Sequence, residues 1–397
     1  MKMTISKKIH KFIEQGGWIR KMFESGIILK QQYGSDNVFD LSLGNPVIEP
    51  PAEFHEALLK LASNPIPGMH RYMPNAGYQN TRDVIAKSIS KESQIDLNGN
   101  HIIMTCGAAA ALNVVLKTII DPEDEVIILS PFFVEYEYYI DNHAGKPIIV
   151  PTKSDFTLDI DLIEAAITSK TKAIIINSPN NPTGIVYNEE TYQALSDLFS
   201  TKQKQYNHDI YIISDEPYRK IVFGDITCPH WFNHYENSII VHSHAKDLAL
   251  PGERIGYIAI SPTASEISNL LDGLTFSNRI LGFVNAPALM QNLLPHLQSS
   301  VIDSGIYEAK MNFLYSELTQ MGYQIAKPQG AFYLFPQSPI KDDSTFTEEL
   351  LQEKVLVVPG RGFGTEGHFR ISYCVEDAVI EGSLHGFKKL SEKYHMV

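Results

Sequence analysis

Residues 243–257, SHAKDLALPGERIGY, combine a lysine with two side chains that could hold a phosphate. Lys246 stands three residues after Ser243 and eight before Arg254, with a β-like run on each side. A lysine amine between strands can form a Schiff base with a carbonyl compound, and the serine and arginine could bind a phosphate. Pyridoxal phosphate carries both an aldehyde and a phosphate, so the stretch predicts a site for this cofactor. Taken alone, Lys246 is more simply explained as a solvated surface charge, which is what most lysines are.

A second candidate group follows the apolar run at residues 210–213. Asp215 stands where a buried strand would meet the ligand edge of a sheet, which is a costly place for an unpaired carboxylate. A protonated pyridine nitrogen would pair with it, and the cationic ring would then withdraw electrons from a substrate carbon. Tyr218, three residues further on, could bond the oxygen of the ring. A helix N-cap by Asp215 is the alternative interpretation.

Other segments place suitable groups after or within predicted strands. Small residues that open a helix let backbone N–H groups reach an anion, an aromatic ring can stack on a planar ligand, and an amide can bond a ring oxygen. An arginine in an apolar strand usually binds a carboxylate in bidentate fashion. The candidates for these roles are Ala108, Ala109, Phe133, Asn181 and Arg370. Turn geometry, core packing or a surface position would explain each one alone, so the evidence is their joint occurrence.

Short β-branched runs alternate with amphipathic segments between residues 100 and 260 and predict the scaffold. Apolar strands with intervening helices indicate an α/β domain whose mostly parallel sheet is covered by helices on both faces. Longer helical patterns after residue 285, followed by a few strands, predict a smaller α+β domain. We expect a large domain at residues 46–285 and a small domain formed by residues 1–45 and 286–397. The predicted strands are 102–104, 126–129, 148–150, 173–176, 210–213, 238–241, 255–260, 331–335, 355–358 and 369–373.

Composition excludes several classes of partner. Asp and Glu total 46 against 33 Lys and Arg, a net charge of −13 over 397 residues, which argues against nucleic acid or an anionic membrane. Three cysteines without a CxxC pair favour a reducing cytoplasm. No apolar run approaches the roughly 20 residues of a membrane span, and the N-terminus lacks the apolar core of a signal peptide. We therefore expect a cytoplasmic protein.

From the LGNP motif at residues 43–46 to Arg370, the chain resembles the class I/II aminotransferases, pyridoxal phosphate enzymes of the aspartate aminotransferase fold (fold type I). The resemblance implies that Lys246 holds the cofactor as a Schiff base and then moves a proton between substrate and cofactor. It also implies that Asp215 pairs with the pyridine nitrogen and that Phe133 stacks on the ring. The other implied contacts are Tyr218 and Asn181 with the ring oxygen, Ala108, Ala109, Ser243 and Arg254 with the phosphate, and Gly44, Asn181 and Arg370 with the substrate α-carboxylate.

Two further residues matter in this resemblance. Tyr72, in HRYMPNAGY, is similar to the tyrosine that reaches the phosphate of the partner subunit, which implies a homodimer with shared active sites. Ala245 stands where the family often has a second serine just before the lysine. One phosphate hydrogen bond would then be missing, so cofactor affinity would be lower.

The implied reaction moves an amino group from an L-amino acid to a 2-oxo acid. The resemblance favours aspartate as donor and 2-oxoglutarate as acceptor; alanine, aromatic or broad specificity remains an alternative. A dicarboxylic donor needs a cation for its distal carboxylate, for which Arg20, Arg71 and Arg279 are candidates. Trp18 could instead line an apolar side-chain pocket.

Three other functions share some of these features. A C–S β-lyase of the same fold is the main enzyme alternative, and a transcription regulator that carries this fold is a second. The net charge and the early start of the fold-like region argue against the regulator. His242 and His244 could ligate zinc, but no second ligand cluster accompanies them, so we expect no metal there.

Overall fold

The computed structural model of the chain describes residues 4–15 and 17–396, apart from the side chains of residues 14, 15, 19 and 20. The helices are α1 (Lys7–Gln15), α2 (Trp18–Tyr33), α3 (Ala52–Ser63), α4 (Gln79–Ser93), α5 (Ala108–Ile119), α6 (Glu135–Asn142), α7 (Ile160–Ala166), α8 (Glu189–Tyr206), α9 (His244–Asp247), α10 (Ile267–Ile280), α11 (Ala288–Leu293), α12 (Ser304–Gln320), α13 (Asp343–Gln352) and α14 (Asp377–Lys393). The strands are β1 (Phe39–Asp40), β2 (Ile102–Thr105), β3 (Glu125–Ser130), β4 (Lys146–Pro151), β5 (Thr171–Asn177), β6 (Tyr211–Asp215), β7 (Ser238–Ser243), β8 (Gly256–Ile260), β9 (Tyr333–Leu334), β10 (Val355–Leu356), β11 (Val358–Pro359) and β12 (Phe369–Ser372).

A seven-stranded sheet in the order β2-β8-β7-β6-β5-β3-β4 forms the centre of the molecule. Strand β8 runs antiparallel to both of its neighbours, and the other pairs are parallel. The carboxyl ends of β2, β5, β6 and β7 therefore lie at the same edge of the sheet. The register sets Asn177 opposite Asp215 at that edge. The predicted α/β class with a mostly parallel sheet is confirmed.

Side-chain alternation along β5 explains why helices cover both faces of this sheet. Ile175 packs with α5 and α10, while Ile174 and Ile176 pack on the opposite face with α7 and α8. Strands buried on both faces read as continuous apolar runs, which is why residues 173–176 contain no polar position. Each isoleucine removed from water contributes about 1.5–3 kcal/mol of transfer free energy.

The C-terminal part of the chain builds two smaller sheets. Strands β11, β12 and β9 form an antiparallel sheet, and β1 pairs with β10. Helices α12, α13 and α14 bury Tyr307, Phe346 and Phe387 in a common cluster with Phe369 of β12. Helix α1 lies instead against α6, where the rings of Phe12 and Tyr138 are 4.8 Å apart. The division of the chain at residues 46 and 285 stays a prediction.

Two predicted elements differ in detail from the structure. The helical pattern at residues 286–297 becomes α11 followed by a 3-10 turn, Leu294–His296, because Pro295 has no N–H to continue an α-helix. The predicted strand at 355–358 becomes two strands that break at Val357, since β10 pairs with β1 and β11 pairs with β12. Within the described chain, no helix has both the length and the apolar character needed to cross a bilayer.

Candidate active site

A cavity of about 290 Å³ lies at the carboxyl edge of the large sheet. Residues that end or follow β2, β5, β6 and β7 form much of its wall, as ligand sites in open α/β sheets do. The predicted site residues that line it are Gly44, Ala108, Ala109, Phe133, Asn181, Asp215, Tyr218, Ser243, Lys246, Arg254 and Arg370. Of the residues predicted to bind the cofactor or the substrate α-carboxylate, Tyr72 is the one that does not line this cavity.

Lys246 enters the cavity from the one-turn helix α9. Ser243 caps this helix, since its Oγ accepts a hydrogen bond of 3.2 Å from the N–H of Ala245. The lysine Nζ donates to the carbonyl oxygen of Gly44 at 2.5 Å and lies 5.5 Å from the centre of the Phe332 ring. Burial lowers the pKa of Lys246 to about 8. A larger share of the amine is therefore neutral near neutral pH, as a nucleophile or base requires.

The residue after the lysine, Asp247, is the centre of a buried ion-pair cluster. Its Oδ2 lies 3.2 Å from His242 Nε2 and 3.2 Å from His244 Nδ1. Its Oδ2 also lies 3.5 Å from the Nζ of Lys220. The pKa of Asp247 is held well below its usual range, because the two imidazoles outweigh the opposing effect of burial. The ammonium of Lys220 and the two imidazole N–H groups satisfy this carboxylate, so hydrogen bonding to Asp247 accounts for the positions of the two histidines.

Asp215 is buried and presents one unpaired oxygen. Its Oδ2 accepts a hydrogen bond of 2.6 Å from the hydroxyl of Tyr136, whereas Oδ1 has no partner among the described residues. Burial raises the pKa of Asp215 to about 6, and the tyrosine hydrogen bond opposes that shift. In the described chain no helix begins directly after Asp215, because residues 217–220 form a turn, so the N-cap alternative is wrong. A buried carboxylate oxygen on a cavity wall fits a cationic N–H donor, which a protonated pyridine nitrogen is.

The start of α5 forms an anion cradle with Arg254. Gly107 precedes the helix at φ 86°, and a side chain there would lie 2.9 Å from Nη2 of Arg254 and 3.4 Å from Oγ of Ser243. Helix N–H groups carry partial positive charge, which Ala108 and Ala109 present at this wall. Arg254 is held by the carbonyl oxygens of Pro251 and Cys106 at 2.9 and 3.3 Å. The donor set and the space left by the glycine fit a phosphate group.

Arg370 is a buried cation on β12, the middle strand of the three-stranded sheet. It is 2% exposed, so the surface alternative is wrong. Its Nη1 donates to Asn181 Oδ1 at 3.1 Å and its Nη2 donates to the carbonyl oxygen of Ser42 at 2.6 Å. The rings of Tyr333 and Phe363 each lie 4.7 Å from the guanidinium carbon. These contacts fix the orientation of the guanidinium. Its Nε has no protein partner in the described chain. A fixed guanidinium with a free N–H group is what the bidentate binding of a carboxylate requires.

Comparison with known proteins agrees with this geometry. The sequence matches the family described as aminotransferase class I and II over residues 36–385. The chain belongs to this family.

Individual relatives cover almost the whole length. The aspartate aminotransferase of Bacillus subtilis is 31% identical over 90% of this chain and 92% of its own length. The aromatic-amino-acid aminotransferase 2 of Thermococcus litoralis is 30% identical over 96% of both chains. A crystal structure of an amino transferase from Eubacterium rectale superimposes with a TM-score of 0.95 at 36% identity and covers 99% of this chain and 100% of that one. The resemblance found in the sequence is confirmed, and this chain is an aminotransferase.

Sequence reasoning missed two tyrosines in the aminotransferase site. Tyr136 bonds Asp215, and the hydroxyl of Tyr333 lies 2.8 Å from that of Tyr218. A side chain on Gly44 would collide with the Tyr333 hydroxyl, which explains the glycine in the LGNP motif. Neither tyrosine belongs to a local motif, because each acts through a contact with a distant segment. The only available signal was the position of Tyr136, three residues after Phe133.

The residues proposed for partner or side-chain recognition lie elsewhere. Tyr72 is 91% exposed in this single chain, and Arg71 beside it is exposed too. Arg279 is exposed on α10, and the side chain of Arg20 lies outside the described residues. Trp18 lines a larger cavity that adjoins the aminotransferase site.

Proposed function

We propose that this aminotransferase binds pyridoxal phosphate through Lys246 and moves an amino group between an L-amino acid and a 2-oxo acid. The observation that carries the proposal is the unpaired Oδ1 of Asp215, buried in the same cavity as a lysine whose pKa burial lowers. In the proposed site Asp215 faces the pyridine nitrogen, while Arg254, Ser243 and the start of α5 hold the phosphate. When bound, the cofactor supplies a cationic ring that withdraws electrons from the substrate α-carbon.

The chain itself supplies orientation and proton transfer. Arg370 binds the α-carboxylate, and Asn181 and the Tyr333 ring hold the guanidinium in place. This orientation directs the Cα–H bond of the substrate toward Lys246, which converts a chance encounter into a fixed geometry. The neutral amine of Lys246 would accept the Cα proton of the substrate at Nζ, and the resulting ammonium would then donate this proton back to the bound substrate and cofactor. Tyr218, held by Tyr333, bonds the ring oxygen.

The identity of the donor is a finer question. Aspartate with 2-oxoglutarate stays a prediction, and the name of the Bacillus subtilis relative supports it. The Thermococcus litoralis relative, equally long and almost equally similar, is named for aromatic amino acids. The names of these two relatives point to different amino donors, so the preference of this chain must be argued from the charged groups that line its own cavities.

The assembly and the compartment are also proposals. The exposed Tyr72 favours a homodimer in which this side chain reaches the phosphate of the partner's site. All three cysteines are free thiols, which favours the reducing cytoplasm.

A spectroscopic experiment tests the reaction. Protein incubated with pyridoxal phosphate and then freed of unbound cofactor should stay yellow, and an amino donor without an oxo acid should change its absorbance. Mass spectrometry of a donor and acceptor panel should then detect the paired oxo acid and amino acid products. A protein that stays colourless contradicts the proposal, and ammonia with pyruvate released without an acceptor would indicate β-elimination instead.

A further inference from the structure

Glu135, the first residue of α6, borders two adjoining cavities. One is the active-site cavity, and the other, of about 790 Å³, lies under the N-terminal helices. Consecutive residues line the two spaces, with Leu43 on the outer one and Gly44 on the inner one. Arg370 and Glu135 line the same inner cavity, so a substrate held at its α-carboxylate by Arg370 would place its side chain near Glu135, where the outer cavity adjoins.

The carboxylate of Glu135 needs a hydrogen-bond donor. Its Oε2 is inaccessible to solvent and has no partner among the described residues. Burial raises the pKa of Glu135, while its own backbone N–H and the guanidinium of Arg370 oppose that shift. A glutamate at the start of a helix is favoured by the helix dipole, but a solvent-exposed carboxylate would serve that purpose equally. An enclosed oxygen without a partner in the described chain, on a residue that borders two cavities, instead calls for a ligand N–H or O–H.

No uncommitted cation balances Glu135 among the described side chains that line the two cavities. The cations there are Lys246, Arg254, Arg370 and Arg361. The first three have proposed roles toward the cofactor and the α-carboxylate. Arg361 already binds two carboxylates, since its Nε lies 2.5 Å from Asp343 Oδ1 and its Nη2 lies 2.7 Å from Asp342 Oδ1. Among these described side chains, a distal carboxylate of a substrate would meet Glu135 without a free cation to compensate the repulsion.

The outer cavity also suits a side chain with an apolar stem. Phe12, Trp18, Phe132 and Tyr138 line it together with Glu137. Aromatic walls accept methylene groups, and the carboxylates at the rim accept N–H groups.

We propose that Glu135 selects the amino donor: it favours L-amino acids whose side chains carry a terminal N–H group, namely amide, guanidinium or ammonium, and disfavours dicarboxylic amino acids. The inference rests on the proposed aminotransferase reaction and names its substrate class. Glu135 acts on the substrate side chain, so its effect depends on the donor.

Isosteric donor pairs test this selection. The donor half-reaction of the holoenzyme is followed by stopped-flow absorbance with glutamine against glutamate and asparagine against aspartate, each normalised to alanine. In the wild type, the amide donor of each pair should react with at least about tenfold higher efficiency than the dicarboxylic donor. The amide can donate a hydrogen bond to the Glu135 carboxylate, whereas the distal carboxylate of the other donor is repelled by it. Glu135→Gln should lower this ratio by about tenfold or more, because the variant amide can also donate to a carboxylate.

Two control variants separate selection from other effects. Glu189→Gln removes a carboxylate that also stands first in a helix, 2.9 Å from His234, and should keep the wild-type ratio. Arg370→Lys should weaken every donor and leave the ratio within each pair unchanged, because the bidentate α-carboxylate contact that it loses is common to all donors. If no donor changes the absorbance, the proposed function itself fails. If alanine reacts but the wild type treats both members of a pair alike, prefers the dicarboxylate, or keeps its ratio in Glu135→Gln, the role of Glu135 is overturned.

Discussion

The part of the pocket proposed to bind the cofactor (the cofactor side) and the part proposed to receive the substrate side chain (the side-chain side) are built in different ways. The cofactor side consists of residues that end or directly follow strands of one sheet, such as Asp215 and Lys246. The side-chain side is assembled from the N-terminal helices, the start of α6 and a turn near Arg361, which are remote in sequence. The first arrangement fixes the chemistry, and the second has freedom to vary with the substrate. Changes on the cofactor side should therefore affect all donors equally, and changes on the side-chain side should affect them selectively.

The largest effect is expected at Lys246. Lys246→Ala removes the amine that we propose holds the cofactor and moves the proton, so turnover should fall by about 10⁴-fold or more with every donor. Steady-state rates with an amide donor and with alanine measure this loss. Lys389→Ala, which removes a surface lysine paired with Glu353, serves as the control. A variant at Lys246 that kept the wild-type rate would remove this residue from the mechanism.

A smaller and pH-dependent effect is expected at Tyr136. Its hydroxyl stabilises ionised Asp215, so Tyr136→Phe should raise the pKa of Asp215 above the value of about 6. Protonated Asp215 cannot pair with a cationic ring nitrogen, so cofactor affinity should fall as pH drops through the pKa of Asp215, and this decline should begin at higher pH in the variant. Near pH 6 the difference should be about tenfold, the size of one hydrogen bond to a charged group.

Cofactor titrations of the apoprotein between about pH 5 and pH 8 measure this difference, a range that spans the ionisation of Asp215. Tyr235→Phe is the matched control, because it removes a buried hydroxyl that bonds the Ile210 carbonyl oxygen away from the pocket. Coincident pH profiles for wild type and Tyr136→Phe would show that this hydrogen bond does not tune Asp215.

The smallest effect is expected at Ala245. This residue is 7% exposed and lines the active-site cavity, and Ala245→Ser adds a hydroxyl on the phosphate side. One extra hydrogen bond should tighten cofactor binding by a few-fold to about tenfold without changing the preference among donors. Equilibrium titration with cofactor measures the change, and Ala264→Ser provides an equally buried comparison away from the cavity. Unchanged or weaker binding would mean that the alanine costs no phosphate contact.

The contrast between the cofactor side and the side-chain side also explains which residues could be predicted from the sequence. A parallel sheet brings its strand ends to one edge, so Asp215, Lys246 and the start of α5 could be placed together from local patterns alone. The bond between Tyr136 and Asp215 joins positions 79 residues apart, and that between Tyr218 and Tyr333 joins positions 115 apart. The periodic patterns that predict helices and strands cover only a few neighbouring residues, so they do not predict contacts between such distant positions. Glu135 was missed for a related reason, since a glutamate at a helix start looks ordinary until its surroundings are known.

The central claim is that Lys246 holds pyridoxal phosphate in this cavity. Borohydride reduction of the yellow holoenzyme, followed by proteolysis and peptide mass spectrometry, tests it most directly because reduction makes the link permanent. The account predicts that the reduced pyridoxyl phosphate group is found on the peptide containing Lys246, and that Lys246→Ala gives no label there. A label on a different lysine of the wild type, or none at all, would contradict it.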